Sequence, residues 1–111
     1  MTAPFEELAG LDKLVHEPAR LAITTALSAC HEADFLFLQR LTGLSKGNLS
    51  AHLGKLEAAG LVAITKHFAG KRPQTWISLT ETGRQVTDAH WNRLDDLRRR
   101  SRAWAPEDTP P

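Results

Sequence analysis

Among 111 residues there is a single cysteine, Cys30. One thiol excludes an intrachain disulfide and a zinc site built from several cysteines. No apolar run approaches the length of a membrane span. The N-terminal MTAPFEELAGLDKL is acidic and lacks the basic-then-apolar order of a secretory leader. A soluble cytoplasmic chain with no membrane role is therefore expected. Catalytic signatures are missing too. There is no Gly-x-Ser-x-Gly and no His-Glu-x-x-His, and Thr42-Gly43-Leu44-Ser45-Lys46 lacks the spacing of a phosphate loop. A chain this short forms one domain and has few residues to wall an enclosed pocket. Together these absences weigh against an enzyme.

What is present is a globular composition, 41% hydrophobic and 24% charged, which argues against wholesale disorder. The net charge is only +1, but it is unevenly spread. Residues 1–39 hold six acids and two bases, net −4; residues 40–75 hold six bases (Arg40, Lys46, Lys55, Lys66, Lys71, Arg72) and one acid (Glu57), net +5; the rest is neutral. A basic middle third suits a polyanion partner.

Periodicity and punctuation give the organisation. Pro18 sets the first turn of a helix to about His31, with Ile23, Leu27 and Cys30 as its apolar stripe. A weaker helical segment, Leu8 to Val15, precedes it. Phe35-Leu36-Phe37-Leu38 reads as a short extended start followed by a helix to Thr42, with Gly43 in a left-handed terminal position. Ser45 can cap the next helix, whose buried face is Leu49, Leu53 and Leu56, and Gly60 ends it. Val62–Phe68 and Thr75–Leu79 are two strands of a hairpin joined by Ala69–Gln74. Thr80 caps a long helix to roughly Arg102, and Ala105–Pro111 is expected to be a disordered tail. The fold class is mainly α with a small β-hairpin, in one unit over residues 1–104.

Two short helices joined by a few residues, Phe37 to Gly60, have the form of a helix-turn-helix. The second helix of that motif places its N-terminal residues at base edges in the DNA major groove. At about 100° per residue, Leu49, Leu53 and Leu56 turned inward leave Gly47, Asn48, Ala51 and Lys55 outward, with Ser50 and His52 flanking. These residues are small or hydrogen-bonding, and residues 45–55 contain no acid, unlike an ordinary solvated helix face. Asn pairs with adenine, and Lys reaches guanine or phosphate. Lys71 and Arg72 in the hairpin connector can reach backbone phosphate or an A·T-rich minor groove.

From Leu11 to Arg100 the sequence resembles the small bacterial and archaeal winged-helix regulators of the MarR/ArsR-like type. The resemblance is carried by Pro18-Ala19-Arg20-Leu21-Ala22-Ile23, Asp34-Phe35, and Leu44 to Leu53. It continues through Leu56-Glu57-Ala58-Ala59-Gly60-Leu61-Val62, Gly70 to Thr75, and Leu79 to Arg84. It implies a winged helix-turn-helix fold and a homodimer, joined through terminal helices, that binds double-stranded DNA at a palindromic site. It also implies contacts from Ser45, Lys46, Asn48, Ser50 and His52 on the recognition helix and from Lys71 and Arg72 on the wing. Metal sensing as in ArsR-like relatives is not expected. There is no Cys-x-Cys on the helix before the turn, and Asp88-Ala89-His90 has no His/Glu counterpart. Cys30 reads as a core residue, and no cofactor is expected. The chain is shorter than the larger MarR-type regulators, so it gives no ground for a ligand pocket of their kind. Any small-molecule effector stays unnamed.

The last helix carries Val86, His90, Leu94, Leu97, Ser101 and Trp104 on one stripe. That stripe is longer than one small domain is expected to cover, so Val86, His90, Leu94, Leu97 and Trp104 are the predicted dimer interface. Trp91 and Trp104, with Phe5 if the end helices meet, read as core aromatics. The competing readings are a winged-helix protein–protein module without DNA binding and an adaptor that uses the acidic N-terminal segment.

Overall fold

The computed structural model describes residues 3–108. Helices α1 (Glu6–Ala9), α2 (Lys13–His16) and α3 (Pro18–Ala29) precede a two-residue strand, β1 (Ala33–Asp34). Then come α4 (Phe35–Thr42), α5 (Lys46–Ala58), β2 (Val62–Ala69), β3 (Arg72–Leu79), α6 (Glu81–Ala103) and a 3-10 turn, Pro106–Asp108. The sheet order is β1-β3-β2, antiparallel throughout. This is the mainly helical fold with a β-hairpin that the sequence predicts. The tail expected from Ala105 opens with the 3-10 turn, and its remainder, 109–111, lies outside the described residues.

Side-chain caps set where most helices begin. Glu17 accepts from Arg20 N at 2.9 Å to start α3, and Pro18 at the first position has no donor to leave unpaired. Ser45 accepts from Asn48 N at 3.1 Å and Thr80 from Gly83 N at 2.9 Å, starting α5 and α6 as their positions predict. Two expectations are corrected. The single weak helix over Leu8–Val15 is split in two, because Asp12 accepts from Leu14 N at 2.8 Å and caps a fresh start. The extended start lies at Ala33–Asp34, not at Phe35. Asp34 accepts from Phe37 N at 2.8 Å, so Phe35 is already helical. Gly43 closes α4 at φ +70°, its N–H donating to Gln39 O at 2.9 Å.

The core lies where α3 crosses α4, α5 and β3. Ile23 and Leu27 from α3 meet Leu38, Leu49, Leu53, Leu56 and Ile77, all buried. Burying each such side chain contributes about 1.5–3 kcal/mol. Three leucines on one face therefore decide which side of α5 turns inward. Cys30 is half-buried at the edge of this core, its thiol donating to Ala26 O at 3.3 Å. Among the described residues no group of three or more His, Cys, Asp or Glu could hold a metal ion, and no helix is long and apolar enough to cross a membrane.

Beyond this core the molecule is drawn out to 67 × 25 × 22 Å, with a radius of gyration of 17.6 Å. A compact chain near this length has a radius of about 13 Å. The first half of α6 lies on the domain, where Trp91 Nε1 donates to Thr25 Oγ1 at 3.0 Å. The His90 ring there meets that of His16 with 3.0 Å between nitrogens. Burial, with His16 adding to it, holds the His90 pKa below the usual imidazole value. Further along α6, Glu7 of α1 takes two hydrogen bonds from Arg100, at 3.2 and 3.1 Å, and Phe5 packs edge-on against Trp104 with ring centres 5.5 Å apart. Arg100 accordingly holds the Glu7 carboxyl below the ordinary carboxylate range.

The stripe expected to lie open on α6 is therefore covered from within the chain. His90 is 7% and Leu97 5% exposed, Val86 packs against the core, and Trp104 is covered in part by Phe5. The chain's own N-terminal segment folds back along α6. The large apolar side chains left exposed in this arm, among the described residues, are Phe5, Leu8 and Trp91.

The start of α6 abuts the α5–β2 junction. Leu61 O accepts from Thr80 N at 3.0 Å, and Thr80 Oγ1 donates to Gly60 O at 2.7 Å. A Cβ on buried Gly83 would collide with Leu61 O and stand 2.8 Å from its carbonyl carbon, both rigid backbone atoms. Gly83→Ala should thus destabilise the fold by about 1–3 kcal/mol, although alanine suits a helix interior better than glycine by about 1 kcal/mol. Urea unfolding measures this. A lower midpoint is expected, and a raised midpoint would contradict the packing described.

Candidate nucleic-acid interface

Helices α4 and α5, joined by Gly43-Leu44-Ser45, form the helix-turn-helix. With Leu49, Leu53 and Leu56 inward, Lys46, Gly47, Asn48, Ser50, Ala51, Gly54 and Lys55 are all exposed. The outward side of α5 thus carries two cations, an amide and a hydroxyl among residues without bulk. Its acid, Glu57, lies beyond the first three turns. Ser45 sits at the positive end of the helix. Its oxygen is committed to capping, while its hydroxyl hydrogen stays available to donate to an anion.

His52 departs from the expected arrangement. It is half-buried, and its Nδ1 faces Arg20 Nη1 at 3.1 Å and Glu17 Oε2 at 3.7 Å. The ring edge that the sequence reading assigns to DNA is instead partnered by α3. Local periodicity puts His52 on the flank of the outward face. It cannot reveal that Arg20, 32 residues earlier, comes to meet it.

The wing is tighter than the connector Ala69–Gln74 implies. Strand pairing continues to Ala69↔Arg72, so the turn is just Gly70-Lys71. Gly70 has φ +66°, and no described residue other than glycine has positive φ, the pattern of a two-residue hairpin turn with glycine first. Arg72, Pro73 and Gln74 belong to β3. Pro73 is tolerated because β1 pairs with β3 only at Trp76 and Ile77, which leaves an open edge beside Pro73 for its missing N–H. Lys71 and Arg72 are exposed at the tip, and Phe68 beside them is 75% exposed.

Between α4, α5 and the wing lies an open hollow of about 680 Å³. Lys46 and Ser50 line it from α5, Arg40 from α4, and Gln74 from β3. Of the predicted contacts, Lys46 and Ser50 line this hollow, whereas Ser45, Asn48, His52, Lys55, Lys71 and Arg72 do not. Arg40 is a candidate contact that the motif reading missed. Its only sequence signal is membership of the basic block. Asp34 and Glu57 also line the hollow, so its charge is mixed away from the Lys46 end.

Comparison with known proteins agrees with this geometry. A family model described as a winged helix DNA-binding domain matches residues 19–97. An uncharacterized protein of Methanocaldococcus jannaschii is 33% identical over 72 residues, covering 65% of this chain and 78% of that protein. The structure of a transcriptional regulator homologue protein from Pyrococcus horikoshii OT3 superposes with a TM-score of 0.77 at 29% identity, covering 85% of this chain and 92% of that one. A MarR family transcriptional regulator from Silicibacter pomeroyi shares the fold, with a TM-score of 0.65 at 20% identity over 84% of this chain and 59% of its own. With its helix-turn-helix and its tight, basic wing, this chain belongs to the winged helix DNA-binding domain family.

Proposed function

We propose that this chain is a dimeric, sequence-specific DNA-binding regulator acting in the cytoplasm. It would lay α5 in the major groove and the wing tip on backbone phosphate or the adjacent minor groove. The observation that carries the reading is the exposed, acid-free first half of α5 beside a cationic wing tip. Asn48, near the N-terminal end of α5, would read a base edge. Lys46, Ser50 and Lys55 would reach base edges or phosphate, and the Ser45 hydroxyl would donate to phosphate. Lys71 and Arg72 would supply charge at a tip where fine geometry matters less. A second reading, protein docking without DNA binding, draws on the exposed Leu36, Phe37 and Leu41 of α4 and predicts no duplex preference.

Dimerisation through the α1–α6 arm is supported by the drawn-out shape. An arm reaching well past the core, with Phe5, Leu8 and Trp91 exposed, gains cover from a second copy. The two recognition helices would then meet half-sites about 34–36 Å apart.

Anisotropy titrations on selected and scrambled duplexes across a salt series test the contacts. Asn48→Ala should cost about 1–3 kcal/mol on the selected duplex and little on the scrambled one. Lys71→Ala or Arg72→Ala should weaken both and lower the salt slope by about one for each phosphate that a protomer no longer neutralises. Equal losses for Asn48→Ala on the two duplexes, or unchanged slopes for the wing variants, would contradict these roles. Sedimentation velocity tests the dimer. Wild type should sediment as a dimer at micromolar concentration, and Leu8→Asp should shift it toward monomer. A monomeric wild type would refute the arm as an interface.

A further inference from the structure

Arg20 is 9% exposed, and its guanidinium joins three parts of the chain. Nε donates to Leu14 O at 2.6 Å and Nη2 to Lys13 O at 3.2 Å, both on α2. Nη1 points to His52 Nδ1 on α5 at 3.1 Å. Arginine has no acceptor, so Nδ1 must offer its lone pair and the ring proton sits on Nε2. Glu17 Oε2 closes the group, 3.9 Å from Arg20 Nη1 and 3.7 Å from His52 Nδ1. The backbone N–H of Arg20 holds the Glu17 carboxyl below the usual carboxylate range, so its charge is in place at neutral pH.

This cluster meets α5 beside its outward face. His52 lies one helical turn after Asn48, between the buried Leu49 and Leu53. Leucine packing resists withdrawal of the helix but is non-directional, so it tolerates small rotations. A hydrogen bond from a fixed guanidinium is directional. Base readout depends on hydrogen-bond geometry, whereas phosphate attraction tolerates displacement.

We propose that Arg20 and Glu17 set the rotation of α5 through His52, which makes His52 a positioning residue for base readout and not a DNA contact. The inference rests on α5 being the recognition helix. One consequence follows from the geometry: an acceptor at the Nδ1 position is what matters, not an imidazole. The charged groups facing His52 among the described residues are Arg20 and Glu17, both from the start of α3.

The test uses substitutions at His52, because removing Arg20 would strip two α2 carbonyls of their partner. In His52→Asn the amide oxygen can take the place of Nδ1, and affinity for the selected duplex should stay within about twofold of wild type; His52→Leu should lose about tenfold there and little on the scrambled duplex. Equal losses in the two variants, or no loss in His52→Leu, would overturn the proposal. Ring nitrogen chemical shifts of the free protein provide a readout that needs no DNA. A bare Nδ1 with a protonated Nε2 is expected at neutral pH, and the reverse tautomer would overturn the proposal. A wild type that prefers no duplex would instead count against DNA readout by α5 itself, while the ring shifts still decide the Arg20–His52 link.

Discussion

Three leucines decide which side of α5 faces out. Leu49, Leu53 and Leu56 are buried against α3 and the sheet, and only small rotations of the helix would keep all three dry. Everything functional about α5 is what remains on the other side. Because Gly47, Ala51 and Gly54 stand between the polar residues, that side is low and can approach another surface closely. The same burial dictates where the wing lies. Leu61 and Val62 continue the buried set, so β2 leaves α5 already pinned to the core and the hairpin extends from the same end of the domain.

Polar groups add the direction that apolar packing lacks. Ser45 and Thr80 start α5 and α6 at defined residues, and the Thr80 hydroxyl also ties α6 to Gly60 O. The Arg20 cluster does the same between α2, α3 and α5. At the far end, Glu7 binds α1 to Arg100 of α6 through an exposed pair, which contributes modestly, while Phe5 on Trp104 supplies apolar contact. The domain thus pairs a well-packed helix-turn-helix and wing with a long arm whose own cover is thin.

Most of the reading head is legible in the sequence because its signals are local. Pro18, Gly43, Ser45 and Thr80 mark element ends within a residue or two, and the i, i+4, i+7 leucines identify the buried face of α5 without knowledge of its neighbours. What escapes is what depends on distant partners. Arg72-Pro73-Gln74 has the composition of a loop, yet pairing with β2 draws it into a strand, and the open edge beside β3 accommodates the proline. The α6 stripe gives no sign in the sequence that α1 and α2 fold back along part of it. That Arg20 comes to meet His52 Nδ1 cannot be read from the periodicity of α5. Arg40 carries no motif and is recognised only from its place beside Lys46 in the hollow.

If the outward face of α5 and the wing tip together form the DNA-reading surface, duplex binding must perturb both at once. An amide NMR titration of the isotopically labelled protein with a duplex selected from random DNA measures this residue by residue. The largest shift changes are expected at residues 45–55 and 70–72, saturating at one stoichiometry. Changes confined to α4 around Leu36–Leu41, or to the α6 arm, with α5 and the wing unmoved, would contradict that assignment.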